Sequence, residues 1–287
     1  MKSSVGKIVK MRDVRFDKSL FVNFATGTVL DNLLCSYNGL PKGVNYMIIG
    51  DPGVGKTTIL LDMLANILRL QPETRILFIS AEMNEIDLAI YVQRFPKFSE
   101  IEILFVEADF DNCVHNLALV SDVLSQGWDI VAIDSFYELQ GIIKEEENIT
   151  QKKAESQLLA LIKHQNKARN DRQVNTTVLT IQQVTKSGAF IGSNRLKHMI
   201  TAMMGLRLDN PKNIYSDRYV FFSKHRRGDV GVKLYYSLST TGDVFFDTER
   251  YEKEQRLKQL QKETSNNIRN IADEFDRLFN NSLDRTK

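Results

Sequence analysis

Cysteine and histidine are both scarce in this chain of 287 residues, which contains two cysteines and four histidines. Cys35 and Cys113 lie far apart, and neither has another Cys or a His nearby at the spacing of metal ligands. We therefore expect no structural zinc site. We also expect both thiols to be reduced and buried, which is typical of cytosolic proteins.

Long apolar runs and an excess of one charge are missing as well. No stretch is long and apolar enough to span a membrane, and the amino-terminal residues lack the apolar centre of a signal peptide. The formal net charge is +2, from 38 basic and 36 acidic residues. This balance argues against a strongly basic wrapper of nucleic acid, although it allows one local basic patch. These absences predict a cytoplasmic protein that does not contact membranes.

The apolar residues occur in short bursts with helical patterns between them. Hydrophobic residues make up 43% of the chain, enough for a sizeable core in one large domain, with or without a small appendage. Apolar runs predict buried strands at 44–50, 75–80, 101–106, 129–135 and 176–183. Helical spacing predicts helices at 57–70, 84–95, 112–126 and about 151–169. This alternation is typical of an α/β fold with a parallel sheet covered on both faces.

The pattern changes after residue 200. Strand-like segments with only short turns between them predict antiparallel pairing, and they occupy 201–209, 218–225, 231–238 and 243–247. We therefore expect a mostly parallel sheet with antiparallel flank strands, and the acidic run 145–147 in a solvated loop. The predicted division is an amino-terminal extension at 1–24, one domain at 25–248 and a charged tail at 249–287.

The charged tail has no Gly and no Pro, and its apolar residues recur at steps of three or four. They are Leu257, Leu260, Thr264, Ile268, Ile271, Phe275 and Leu278. This spacing predicts a carboxy-terminal amphipathic helix. Its apolar stripe either packs on its own domain or docks on a neighbouring subunit or another protein, in coiled-coil fashion or in a groove.

The run GDPGVGKT matches the Walker A pattern of P-loop nucleotide-binding proteins, and it lies between an apolar strand and a helix, as the chemistry requires. The predicted phosphate-binding positions are Gly50, Asp51, Pro52, Gly53, Val54, Gly55, Lys56, Thr57 and Thr58. The glycines allow backbone N–H groups to turn toward phosphate oxygens at a helix N-terminus. Lys56 is expected to reach the β- and γ-phosphates, and the Thr57 hydroxyl is expected to bind Mg²⁺.

Two carboxylates at strand ends complete the predicted catalytic site. Asp134 ends the run DIVAID, which is the Walker B arrangement, so we expect it to hold Mg²⁺ together with Thr57. Glu82 follows the second predicted strand, which we expect to lie beside the P-loop strand. In that position a carboxylate can orient and deprotonate the water that attacks the γ-phosphate.

The segment VTKSGAFIGSNRLKHMI at 184–200 resembles the signature segment of RadA/Sms proteins, which are RecA-like ATPases. KHRRG at 224–228 resembles the Lys-Asn-Arg-Phe-Gly motif of that family and also the Lys-x-Arg motif of DnaB-type replicative helicases. Residues 25–43 are similar to the family's lead into the P-loop. Matching positions in the signature segment are Val184, Thr185, Lys186, Gly188, Leu196, His198 and Met199.

The chain also departs from the RadA/Sms pattern. His225 and Arg227 replace the Asn and Phe of the motif, whereas Ser193, Lys197 and Thr201 replace Pro, Glu and Asp. The family's zinc ribbon has no CxxC counterpart here, and the charged tail stands where the family has a protease-like domain. The chain therefore resembles the motor core alone, and a DnaB-type helicase domain fits nearly as well.

The resemblance implies a RecA-like P-loop core that uses ATP and Mg²⁺. It implies that Gln183 senses the γ-phosphate and passes the signal to the following loop, 185–197. The basic residues Lys186, Arg195 and Lys197 of that loop would face single-stranded DNA. It also implies that Lys224 and Arg226 act on the ATP of a neighbouring subunit, in a homo-oligomer expected to be a hexameric ring.

Three hypotheses of function follow. The first is an ATP-driven motor on single-stranded DNA, a helicase or translocase in replication, recombination or repair. The second is a nucleotide-switched helicase loader or recombination mediator, with protein partners bound through the carboxy-terminal helix. The third is a KaiC-like ATPase that acts on protein partners.

Overall fold

One nine-stranded sheet organises the protein in a computed structural model, which describes residues 10–13, 18–106, 115–183, 193–213 and 215–283. The strands are β1 (Asn45–Gly50), β2 (Ile76–Ser80), β3 (Glu102–Phe105), β4 (Ile130–Asp134), β5 (Thr177–Gln182), β6 (Ala202–Leu208), β7 (Arg218–His225), β8 (Leu234–Leu238) and β9 (Val244–Phe246). Their order across the sheet is β3-β2-β4-β5-β1-β6-β7-β8-β9. The predicted α/β fold class is confirmed.

The sheet is parallel from β3 to β6 and antiparallel from β6 to β9. The segment predicted to begin the antiparallel flank, β6, also pairs in parallel with β1, with Tyr46 opposite Ala202. It therefore joins the two halves of the sheet. The expectation that β2 lies beside the P-loop strand is wrong, because β4 and β5 lie between β2 and β1.

Eight α-helices accompany these strands within the described residues. They are α1 (Asp31–Leu34), α2 (Lys56–Leu70), α3 (Glu85–Arg94), α4 (Asn116–Ser125), α5 (Phe136–Glu146), α6 (Gln151–Gln165), α7 (Asn194–Met199) and α8 (Thr248–Leu283). Polar side chains fix where several of them begin. Asn84, Ser135, Thr150 and Ser193 each accept a hydrogen bond from the backbone N–H three residues on.

Helix α5 has no counterpart among the predicted helices. The acidic run expected in a solvated loop lies at its carboxyl end, with Glu145 and Glu146 inside the helix. Glu146 accepts hydrogen bonds from the backbone N–H and side chain of Asn116, at the start of α4. The helix forms because Phe136, Leu139 and Ile143 recur at helical spacing and are buried.

Two apolar layers cover the two faces of the sheet. One layer holds Ile48 and Phe78 from the strands with α2, and the other holds Met47 and Ile133 with α5 and α6. Alternate residues of one strand therefore face opposite layers, as strand geometry requires. Trp128 is buried in the second layer, and its Nε1 donates to the Val123 carbonyl at 2.8 Å.

Helix α8 is anchored to the domain at its beginning. Arg250 lies 3.3 Å from the centroid of the Tyr235 ring and forms an ion pair with Asp217 at 3.3 Å. Beyond residue 255, every residue up to 273 is exposed. Four stripe residues, Leu257, Leu260, Ile268 and Ile271, are between 51% and 64% exposed. Packing of these four on their own domain is therefore wrong, and the docking alternative remains. No helix among the described residues has the length and apolar character needed to cross a membrane.

Candidate nucleotide site

The P-loop connects β1 to α2 in backbone conformations that favour glycine. Gly53 has a φ of +74° and Gly55 a φ of +97°, both in the left-handed region. At Gly50, a Cβ atom would lie 2.6 Å from the Leu206 carbonyl oxygen on β6. The glycine pattern therefore serves both the turn and the close contact with the next strand.

Strand β8 supports the P-loop from the antiparallel flank. The Tyr236 hydroxyl donates to the Val54 carbonyl at 2.8 Å, and burial raises the pKa of Tyr236, so the hydroxyl keeps its proton. A Cβ on Gly55 would lie 2.6 Å from Leu238 Cδ1. Arg207 on β6 pairs with Asp51 at 3.4 Å. No local sequence motif indicated these contacts, because β8 lies about 180 residues further along the chain.

Lys56 begins α2, and its ammonium group points back along the loop. Its Nζ donates to the carbonyls of Gly50 at 3.0 Å and Asp51 at 3.1 Å. Burial lowers the pKa of Lys56, whereas the carboxylates of Asp134, Glu82 and Asp51 oppose that shift. The ammonium therefore lies among acidic groups at the start of a helix, where a polyphosphate would compete for it.

Thr57 and Asp134 meet across the site. The Thr57 Oγ1 donates to Asp134 Oδ2 at 2.6 Å. Burial is the main cause that raises the pKa of Asp134 to about 6, and nearby Glu82 raises it further. The Thr57 hydrogen bond and Lys56 lower it. A divalent cation at this site would favour the ionised form of Asp134 and so lower its raised pKa.

The Thr57 and Asp134 oxygens are hard donors of the type that Mg²⁺ prefers. In the part of the chain that the structure describes, no group of three or more His, Cys, Asp or Glu side chains could hold a metal by itself. An ion at this site would take its other ligands from water and phosphate, which is the usual mode of Mg²⁺. The residues present therefore fit Mg²⁺ bound together with a nucleotide.

A cavity of about 600 Å³ opens beside this pair, and Glu82 and Gln183 both line it. Glu82 reaches it although β2 lies three strands from β1, because β2 pairs directly with the strand that ends in Asp134. The Gln183 side chain donates to Glu138 in the first turn of α5 at 3.3 Å. Both predicted residues therefore lie at the nucleotide cavity.

Tyr91 of α3 also lines the cavity, and the sequence patterns did not indicate it. Its hydroxyl lies 3.0 Å from the Thr58 hydroxyl. Its ring stacks on Phe98 with a centroid distance of 5.9 Å and contacts Phe95 edge-on. No local motif distinguishes this tyrosine from other aromatic packing residues of a helix.

Comparisons with known proteins agree with this geometry. The chain is similar to DNA repair proteins named RadA from Campylobacter jejuni (25% identity over 178 residues), Pseudomonas aeruginosa (26% over 187) and Rickettsia prowazekii (24% over 246). These matches cover 61%, 63% and 83% of this chain, and 36%, 36% and 51% of those relatives. The chain thus spans between about a third and a half of their length. No protein-family model matches it.

The fold is similar to the crystal structure of a KaiC-like protein from the hyperthermophilic archaeon Pyrococcus horikoshii. The TM-score is 0.60 at 20% identity, over 78% of this chain and 98% of that one. The chain has the fold of a RecA-like P-loop ATPase. This fold implies nucleotide binding, with Mg²⁺ as the usual companion ion.

Lys224 and Arg226 lie at the opposite end of the parallel strands from the P-loop. Ala202 pairs with Tyr46 at the start of β1 and with His225 at the end of β7. Lys224 and Arg226 therefore lie near the start of β1, whereas the P-loop follows the end of β1. The six residues of β1 separate these two ends of the sheet, a distance of roughly 17–20 Å at about 3.3 Å per residue. One copy therefore does not bring these two cations to its own P-loop.

Both cations bind backbone groups at the end of α7. Lys224 Nζ donates to the Lys197 carbonyl, and Arg226 Nη2 donates to the His198 carbonyl at 2.8 Å. Burial, Arg226 and Lys197 all lower the pKa of Lys224. Among the described residues, none of these three cations forms an ion pair with a carboxylate. The result is a cluster of like charges that lacks an anion.

The predicted DNA-contacting loop is only partly described. Arg195 and Lys197 lie on helix α7 and not in a loop, because Ser193 caps this helix and Leu196 buries its inner face. Arg195 donates to the Ser156 hydroxyl on α6 at 2.6 Å, and Lys197 is exposed. Lys186, with the rest of 184–192, lies outside the described residues.

Proposed function

We propose that the protein is an ATP-driven motor on single-stranded DNA, a RadA- or DnaB-like helicase or translocase. The observation that carries the proposal is the position of Gln183. It lines the nucleotide cavity and also directly precedes the segment that resembles the RadA signature. A side chain that lies between the nucleotide and that segment can change the conformation of the segment when the γ-phosphate is present or absent. The names of the RadA relatives support DNA as the target.

In this proposal the described residues divide the work of hydrolysis. The P-loop and Lys56 would bind the phosphates, and Thr57 and Asp134 would hold a Mg²⁺ ion that supplies positive charge for phosphoryl transfer. Glu82 orients the attacking water and accepts its proton. Its exposure at the cavity fits this role, because a water molecule can reach it directly.

Lys224 and Arg226 supply the remaining cations from a neighbouring copy, in a homo-oligomer that we expect to be a hexameric ring. Two observations support action in trans. Both residues lie far from their own P-loop, and neither pairs with a carboxylate in the described part of the chain. An arginine supplied in this way contributes roughly 10³–10⁵ to the rate in related phosphoryl transfers.

DNA coupling is tested by measuring ATP hydrolysis of the full chain during a titration with single-stranded DNA at low salt. We expect turnover to rise to a plateau. Gln183→Ala should keep the basal rate and lose the rise, whereas the exposed control Gln126→Ala should behave like the wild type. Unchanged wild-type turnover across the titration contradicts the motor.

Action in trans is tested by mixing two inactive variants. Lys56→Ala lacks a working P-loop, and Arg226→Ala lacks the arginine that is proposed to act on the neighbouring copy. In a mixed assembly some interfaces join the intact P-loop of one variant to the intact Arg226 of the other, so hydrolysis should return in part. Each variant alone is the control, and a mixture no more active than the two controls contradicts the trans role.

The exposed stripe of α8 favours a second candidate, a nucleotide-switched loader or mediator that binds another protein. Four apolar side chains that stay in water on one helix are a surface for a protein partner. This function predicts ATP-dependent binding of a protein partner that is lost on truncation of α8, together with turnover that DNA does not change. The DNA titration therefore separates the two candidates.

A further inference from the structure

A cleft of about 1070 Å³ lies at the edge of the sheet that carries the Lys224–Arg226 pair. Lys42, Arg226 and Arg227 line it, and no acidic side chain does so among the described residues. Tyr37, which is 85% exposed, also lines it. None of these three cations has an ion-pair partner in the part of the chain that the structure describes. The cleft is therefore a basic surface with one exposed aromatic ring.

The walls of this cleft are held by contacts between distant segments. The Ser36 N–H donates to the Arg227 carbonyl at 2.8 Å, and His225 Nε2 lies 3.0 Å from the Leu33 carbonyl. The loop after α1 and the loop after β7 therefore form one unit. Because the cations sit on fixed loops, the surface is pre-organised for a partner.

A surface of opposite character lies at the other edge of the sheet, on helix α3. Its first turn carries the exposed acids Glu85 and Asp87, which form no ion pair among the described residues. Ile86 and Ile90, one turn apart, are 71% and 61% exposed. None of the residues of α3 is buried. This helix directly follows the segment that carries Glu82 to the nucleotide cavity.

We propose that the outer face of α3 of one copy docks in the basic cleft of the next copy. The charges are complementary, and neither side forms an ion pair with another described residue of its own chain. Tyr37 offers an apolar face for Ile86 and Ile90. Nucleic acid would satisfy the cations of the cleft but would leave the two isoleucines and the acids of α3 without a partner, so a second copy fits the observations better.

The two surfaces lie at opposite edges of one rigid sheet, so a chain does not fill its own cleft. The contact is therefore head-to-tail, and repetition gives a ring or a filament. The inference rests on the proposed action in trans, because Arg226 lines the cleft and α3 borders the nucleotide cavity. Docking α3 there brings Arg226 toward the nucleotide of the neighbouring copy.

The test is a charge swap on the full chain, with mass measured by sedimentation velocity in the presence of Mg²⁺ and a slowly hydrolysed ATP analogue. The acidic side is reversed in Glu85→Lys/Asp87→Lys, and the basic side in Lys42→Glu/Arg227→Glu. A control reverses two exposed charges elsewhere, Glu73→Lys/Lys212→Glu. Thermal unfolding shows that each variant is folded.

We expect the wild type and the control to assemble, and each reversed variant alone to fall to the mass of a single chain. An equal mixture should assemble again, because every contact in an alternating array then joins opposite charges. Wild type that stays a single chain, reversed variants that keep the wild-type mass, or folded variants that do not assemble when mixed would each overturn the proposal. Loss of DNA binding by the basic-side variant without loss of mass would also overturn it, in favour of a nucleic-acid site.

Assembly is measured here without hydrolysis and without DNA. A failure of the DNA titration therefore leaves this result unchanged. A failure of the charge swap, in turn, leaves the assignment of ATP hydrolysis to Glu82, Lys56 and Asp134 untouched.

Discussion

The Thr57 hydroxyl donates to the Asp134 carboxylate at 2.6 Å, joining the first turn of α2 to the end of β4. The two residues are 77 positions apart in the chain. Their contact brings the hydroxyl and the carboxylate to one point at the mouth of the nucleotide cavity. The hydrogen bond keeps the hydroxyl and the carboxylate close enough for both to bind one Mg²⁺ ion.

Removing this hydroxyl should weaken Mg²⁺-nucleotide binding. Thr57→Val keeps the shape of the side chain but removes one oxygen ligand of the ion. With that contact worth about as much as a hydrogen bond to a charged group, about 1.5–3 kcal/mol, affinity should fall roughly 10- to 150-fold. Thr57→Ser keeps the hydroxyl and is the matched control. Titration calorimetry of ATP with and without Mg²⁺ measures the change, and equal Mg²⁺ dependence in both variants would contradict the shared site.

Asp134 should make stability without ligand depend on pH. Its pKa in the folded protein is about 6, above the ordinary value of 3.8, so the buried charge destabilises the folded state fully above pH 6, and this destabilisation decreases as pH falls from 6 to about 4. The shift corresponds to at most about 3 kcal/mol, at about 1.4 kcal/mol per pKa unit. We expect ligand-free Asp134→Asn to melt at a higher temperature than the wild type at pH 7.5.

The same comparison at pH 4 is the control, because the folded wild type is then neutral at this position and most of the difference in melting temperature should disappear. Asp134→Asn should also lose hydrolysis at every pH. A variant that is less stable than the wild type at pH 7.5 would show that the carboxylate contributes more through its contacts than its burial costs.

Glu82→Gln should bind ATP normally and lose turnover. The amide keeps the size of the side chain but cannot accept a proton, and general-base catalysis contributes typically about 10²–10⁴ to rates. Nucleotide affinity by fluorescence and single-turnover hydrolysis separate the two effects. Glu73→Gln, an exposed acid away from the cavity, is the control. Full activity of Glu82→Gln would remove this residue from the mechanism.

Tyr236→Phe should make the P-loop less firmly held by β8. The change removes the buried hydrogen bond to the Val54 carbonyl and leaves that oxygen unsatisfied, at a cost of about 1–3 kcal/mol. We expect a melting temperature lower by a few degrees and weaker ADP binding. Tyr215→Phe, at a ring that is 90% exposed, should change neither. Normal ADP affinity in Tyr236→Phe would mean that β8 supports the fold but not the loop.

Ending the chain after Lys258 should leave the domain intact. Side chains from Leu257 to Asp273 are exposed, so among the described side chains the truncation removes few contacts with the domain. We expect an unchanged melting temperature and unchanged basal hydrolysis, measured beside the full chain. A large drop in melting temperature would indicate that the stripe covers its own domain after all.

The sequence alone determined the features that depend on local patterns. Apolar bursts marked the strands, and the Walker A run together with the acid of DIVAID marked Lys56, Thr57 and Asp134. These features are readable because a phosphate loop needs a fixed spacing of glycines, and a buried strand needs consecutive apolar residues. The resemblance to RadA added Gln183, which the structure places at the same cavity.

The tertiary structure decided what depends on contacts between distant segments. Strand order is set by how helices cover the sheet, so β2 lies beside β4 and not beside β1, and Glu82 reaches the cavity by that route. The support of Val54 by Tyr236 and the position of Tyr91 leave no local signal, because packing residues look alike in sequence. Lys56 and Arg226 lie at opposite ends of the strands, because β6 runs parallel to β1 and β7 then runs antiparallel to β6.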